Sequence, residues 1–198
     1  MNKVFNIILA FIIMFCSPVA AQSFDKGLAA YRNEDYATAF KEWKPLAEQG
    51  NASAQVNLGI MYEFGRGVPE DHKEAFKWYK LAAEQGYAEG QFYLARRYDQ
   101  GEGVLQDYKE ALKWRRLAAE QGFARAQFIL SLNYEGGNGV LQDNIMAHMW
   151  SNIATANGYA PAKRTRDIQS KQMTPADISK AQAMARECMD SGYTKCGY

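Results

Sequence analysis

The chain has 198 residues, 47% hydrophobic and 23% charged, a foldable composition that excludes a disordered or collagen-like protein. Its 23 Lys and Arg against 22 Asp and Glu create no global field, so neither nucleic acid nor an anionic lipid surface is implied as a partner. The length suits one domain.

Met1-Asn2-Lys3 precedes an apolar run from Val4 to Cys16 broken only by Asn6, and Ser17-Pro18-Val19-Ala20-Ala21 follows. One cation, a short apolar core and small residues at Val19 and Ala21 read as a secretory signal peptide, residues 1–21, cleaved after Ala21. The apolar run is about 13 residues where a spanning helix needs roughly 20, so the mature chain is expected to be periplasmic or secreted, without a transmembrane segment. Met14 and Phe15 ahead of Cys16 do not resemble the small residues that lipid attachment requires.

Residues 22–50 read as a shortened helix pair, Gly27-Leu28-Ala29-Ala30-Tyr31 and then Asp35-Tyr36-Ala37-Thr38-Ala39-Phe40. Pro45 removes a backbone donor from the second helix, and a kink or late restart is expected there. The stretch Leu81-Ala82-Ala83-Glu84-Gln85-Gly86 returns at Leu117 to Gly122, with a shortened copy at Leu46 to Gly50 and a drifted one at Ile153 to Gly158. The closing glycines stand 36 residues apart, a beat that signals stacked supersecondary units. The repeats are residues 51–86, 87–122 and 123–158.

Within each repeat, Ala54, Leu58 and Tyr62 recur as Gly90, Leu94 and Tyr98 and as Ala126, Leu130 and Tyr134, at the spacing of one helix stripe. Gly59, Ala95 and Ser131 stay small beside that stripe, which suits a close neighbour. Gly65-Arg66-Gly67-Val68 and its two copies end this helix A and turn the chain. Asp71, Asp107 and Asp143 then open helix B as N-caps or first-turn acids. Trp78, Trp114 and Trp150 read as core, and the Leu-Ala-Ala-Glu-Gln-Gly stretch as packing letters with a glycine stop.

The last segment, residues 159–198, opens with a fifth helix A from Tyr159 to Ile168. A final helix follows with Thr174 as N-cap, Pro175 at the first position, Asp177 at the capping-box position and a Met173–Ile178 staple, running to about Cys188. Cys188 and Cys196 are the two cysteines of the mature chain, and an oxidising compartment makes a disulfide of them rather than two free thiols in a frayed end. The fold class is therefore all-α, an α/α solenoid of about five antiparallel helix pairs.

The order Ala, Leu-Gly, Tyr, Gly-x-Gly-Val, Asp, Glu-Ala, Trp-Tyr, Ala-Ala-Glu-Gln-Gly closely resembles the Sel1-like repeat, a relative of the tetratricopeptide repeat, over roughly residues 24 to 168. Secreted bacterial members look similar also in the tail, where Met173-Thr174-Pro175 leads into a helix and then Tyr193-Thr194-Lys195-Cys196. The resemblance implies an adaptor that binds another protein or a cell-envelope component, and it implies no catalysis and no cofactor.

Chemical motifs are sparse. His72 and His148 occupy different repeat positions without a recognisable ligand set, so no metal is expected. The Gly-x-Gly-Val loop lacks the strand–turn–helix context or the Gly-Lys-Ser/Thr of a phosphate cradle. Ser23-Phe24-Asp25-Lys26 matches Ser-x-x-Lys, the alternative reading being an envelope hydrolase or penicillin-binding activity, but Ser-Asp-Asn and Lys-Thr-Gly are missing. A structural subunit of a membrane complex is the other alternative. Asn51-Ala52-Ser53 is a glycosylation sequon, which the resemblance to secreted bacterial members implies is incidental.

Repetition separates positions that hold the fold from positions free to vary. Opposite the packed stripe of helix A fall Ser53, Asn57, Ile60 and Phe64, then Glu89, Tyr93, Arg96 and Gln100, then Arg125, Ile129, Leu132 and Gly136. They share almost no letters and mix aromatic, arginine and aliphatic side chains as recognition surfaces do. In related solenoids the A helices line the concave side, so a monomer with its partner groove there, anchored by Phe64, Tyr93 and Arg96, is the expectation.

Overall fold

The fold rests on ten helices joined by short turns, with no strand among the described residues. The computed structural model describes residues 18–197, without the side chains of 18–20 and 22. The signal-peptide run lies outside the described residues, apart from its last four, which form the start of the first helix. The helices are α1 (Pro18–Arg32), α2 (Tyr36–Glu48), α3 (Ala52–Glu63), α4 (His72–Glu84), α5 (Ala88–Gln100), α6 (Tyr108–Ala119), α7 (Ala124–Gly136), α8 (Asn144–Ala156), α9 (Ala160–Ser170) and α10 (Pro175–Asp190).

Side chains set the helix starts. Asp71, Asp107 and Asp143 each accept from the backbone N–H groups two and three residues on, filling donors that the first turn leaves open. Asn51 caps α3 through the N–H of Ala54 at 2.9 Å, which gives the sequon asparagine a structural duty. Thr174 caps α10 through Asp177, at the residue expected. Helix α2 continues through Pro45 without the restart expected, Pro45 lying exposed three residues from its end.

Consecutive helices pack on one another from α1 to α9, as in an α/α solenoid, while α9 and α10 both lie against α8. The core forms three clusters along the stack, around Trp43 and Leu58, around Tyr79 and Leu94, and around Leu130 and Trp150. The second glycine of each Gly-x-Gly-Val loop makes the tightest joint between repeats. At Gly103, with φ of 76°, an added Cβ would sit 2.1 Å from the His72 carbonyl oxygen at the start of α4. Only glycine fits both that backbone angle and that approach.

Two packing expectations need correction. Trp150 is fully buried, but Trp78 and Trp114 are half-buried and pack against the cluster of the preceding repeat. The next residue is buried in every copy, as Trp43, Tyr79, Arg115 and Ser151, because it continues the stripe of the buried alanine four residues before it, and beside Tyr79 and Arg115 the tryptophan stays half-buried. Leu81 and Leu117 of the repeated stretch are 45% and 38% exposed, since they lie far round helix B from the alanines that pack.

Cys188 and Cys196 form a disulfide that ties the tail to α10, and both sulfurs are buried in the last cluster.

Candidate interaction surface

The face opposite the packed stripe of the A helices is where the repeats differ. Phe64, Gln100 and Arg125 are exposed, while Asn57, Ile60, Glu89, Tyr93, Arg96, Ile129 and Leu132 are half-buried. These side chains are not equivalent. Ile60 and Tyr93 pack on the second core cluster, and the Tyr93 ring stacks on Tyr79 at 5.0 Å between centroids. Arg96 lies over the Tyr93 ring at 4.9 Å and pairs with the buried Glu63.

Glu63 is the hub of a buried polar network linking three helices. It accepts from the Tyr79 hydroxyl at 2.6 Å and pairs with Arg97 at 3.3 Å as well as with Arg96. Arg97, 1% exposed, also pairs with Glu102 and donates to Gln100 Oε1 at 2.6 Å. Desolvation, and the carboxylate beside it, hold the Tyr79 phenol far above the usual tyrosine range, so it acts as a donor at all working pH. In the next repeat the arrangement shifts, with buried Arg115 pairing with Asp99 and donating to Asn133 Oδ1 at 2.7 Å. Buried charges persist only where paired and hydrogen-bonded, which these are.

Sequence reasoning missed two sets of polar residues. Gln55, Gln91 and Gln127 are buried at one repeat position and donate to the carbonyls of Ala47, Ala83 and Ala119 at 3.0, 3.4 and 2.9 Å. Their own oxygens accept from Gln85, Gln121 and Asn157 at 2.7, 2.8 and 2.8 Å. The glutamine of Leu-Ala-Ala-Glu-Gln-Gly is thus half of a clasp between the end of one helix B and the two helices A beside it. The signal was present, since Gln55, Gln91 and Gln127 recur in phase. The Glu63 network carried no such signal, because its members do not repeat.

The Ser-x-x-Lys pair does not come together as a nucleophile and base. Ser23 donates to Glu42 Oε2 at 2.7 Å and Lys26 forms an ion pair with the same carboxylate. The bond from Lys26, and then that from Ser23, hold Glu42 below the usual carboxylate range. No group of three or more His, Cys, Asp or Glu suited to a metal occurs among the described residues. No described helix is long and apolar enough to cross a membrane.

The fold, with its in-phase caps, glycine joints and glutamine clasps, defines a helical-repeat protein of the α/α-solenoid class. The Sel1 repeat matches residues 52–87, 88–123 and 124–159, together more than half of the chain, and the protein belongs to that family. No curated protein sequence matches it. Among solved structures it is similar to c5321, a protective antigen of uropathogenic Escherichia coli strains displaying an SLR fold, at 34% identity and a TM-score of 0.73. That match covers 79% of this chain and 34% of the E. coli protein, so the chain spans about a third of that relative's length. It is also similar to a Sel1 repeat protein from Oxalobacter formigenes, at 26% identity and a TM-score of 0.68, over 86% of this chain and 77% of the other.

Proposed function

We propose that this chain is an exported, non-catalytic adaptor, which works as a monomer and binds a protein of the bacterial cell envelope or the exterior along its A helices. Sel1 repeat proteins generally mediate protein–protein interaction. The observation that carries the finer reading is the contrast within α3, α5 and α7. Their packed positions repeat, whereas the opposite positions pass from Asn57, Ile60 and Phe64 through Glu89, Tyr93, Arg96 and Gln100 to Arg125, Ile129 and Leu132. Tyr93 and Arg96, held by Tyr79 and Glu63, form a preorganised centre, and pre-ordered side chains cost less entropy on binding. Export rests on the 1–21 segment and on the disulfide, which persists in oxidising compartments.

The test is site-specific photo-crosslinking in the native cell, with the crosslinker at Phe64, Gln100 or Arg125 and, as control, at the exposed helix B positions Lys77 or Lys113. One partner captured from the A-helix positions and not from the controls is the expected result. Equal labelling from both faces removes the groove, and an uncleaved N terminus by mass spectrometry removes export.

A further inference from the structure

Charge along the molecule is skewed toward one end. Residues 159–198 carry seven Lys and Arg against four Asp and Glu, whereas residues 18–158 carry fifteen against eighteen. At the basic end α9 and α10 both lean on α8, and a cleft of about 280 Å³ opens between the three helices. Asn152 and Thr155 from α8, Arg166 from α9, and Gln182, Arg186 and Met189 from α10 line it.

The lining holds two guanidinium groups, two primary amides and no carboxylate. Arg186 pairs with no carboxylate among the described residues and stands exposed at the cleft. Arg166 is oriented from outside: its Nε and Nη2 donate to the exposed Asp167 at 3.1 and 2.8 Å, which leaves the other nitrogen of the fork uncommitted. The Asn152 amide is fixed from below by the buried His148 ring at 2.9 Å. The carbonyls of Ile153, Ala154 and Thr155 near the end of α8 are taken by the backbone N–H groups of Asn157, Tyr159 and Gly158. Ala156, Ala185 and Met189 supply an apolar floor.

We propose that this cleft is a second recognition site, distinct from the A-helix face, which takes a peptide carboxylate with a small aliphatic group beside it. The guanidinium fork of Arg186 matches the two oxygens of a carboxylate, the uncommitted nitrogen of Arg166 adds a second charged donor, and the side-chain amides add neutral ones. The volume lies just below the range of ordinary small-molecule pockets, which limits the occupant to a residue or two rather than a cofactor. The carboxylate has two possible sources, a chain terminus or an acidic side chain, and the chemistry at the cleft is the same for both.

The experiment titrates the chain with three probes, N-acetyl-Ala-Ala as the free acid, the same dipeptide as its C-terminal amide, and N-acetyl-Glu-amide. The readout is the NMR side-chain amide signals of Asn152 and Gln182. A saturable shift with at least one of the two acids, weakened about tenfold in Arg186→Gln and in Arg166→Gln, is expected. Saturation by the dipeptide acid alone assigns a chain terminus, and saturation by the glutamyl probe alone assigns a side chain. Arg186 is exposed, so its variant keeps the fold and serves if Arg166→Gln does not. No saturable shift with either acid at millimolar concentration, an equal response to the amide, or unchanged affinity in Arg186→Gln overturns the proposal.

Discussion

Single side chains divide here by which neighbour they meet. Gly103 meets a backbone carbonyl of the preceding repeat, and its positive φ admits no side chain without strain. Gly103→Ala is therefore expected to cost roughly 2–4 kcal/mol, measured by denaturant unfolding. The tryptophans separate in the same way. Trp150→Ala empties a fully buried site and is expected to cost about 3–5 kcal/mol, whereas Trp114→Ala, at a half-buried site, is expected to cost about 1–2 kcal/mol. Equal losses in the two variants would contradict the packing described. Their shared repeat letter concealed this, because a letter reports the position on a helix and not the depth of the neighbour across it.

At the scale of one helix, capping and buried polar groups decide stability. Asp107→Ala removes the acceptor for the Lys109 and Glu110 N–H groups, and a loss of about 1 kcal/mol, with α6 fraying first in hydrogen exchange, is expected. Helix α8 carries a pH dependence. Burial, reinforced by Arg166 and opposed by Asp167, holds His148 below the ordinary histidine range. Below about pH 6.5 the unfolded chain takes up a proton that the folded chain refuses. Stability from neutral His148 is thus full above that value and is lost as pH falls toward the lowered folded value. Between about pH 8 and pH 5 the melting temperature should drop further in the wild type than in His148→Gln, measured by circular dichroism.

Across the whole molecule, neighbour-to-neighbour packing means that ends need separate closure. The Cys188–Cys196 disulfide closes the C-terminal end, where the Tyr193 hydroxyl accepts from Asn157 at 2.8 Å. The Cys188→Ala/Cys196→Ala double variant is expected to lose about 2.5 kcal/mol, the chain-entropy value for so short a loop, with the repeat helices retained in the far-ultraviolet spectrum. The 36-residue beat, the Asp caps, the glycine turns and the cysteine pair were all legible in the sequence, because each is a local rule or a spacing that one chain repeats against itself. The sequence also marked the variable face of the A helices. Only the tertiary structure decided that Arg96 and Tyr93 on that face are tied to Glu63 and Tyr79, that the repeated leucines look outward, and that α9 and α10 both settle on α8 to leave a cationic cleft. Those outcomes depend on which non-repeating side chains meet across helices, and a period in the sequence fixes which helices are neighbours without fixing what their odd residues find there.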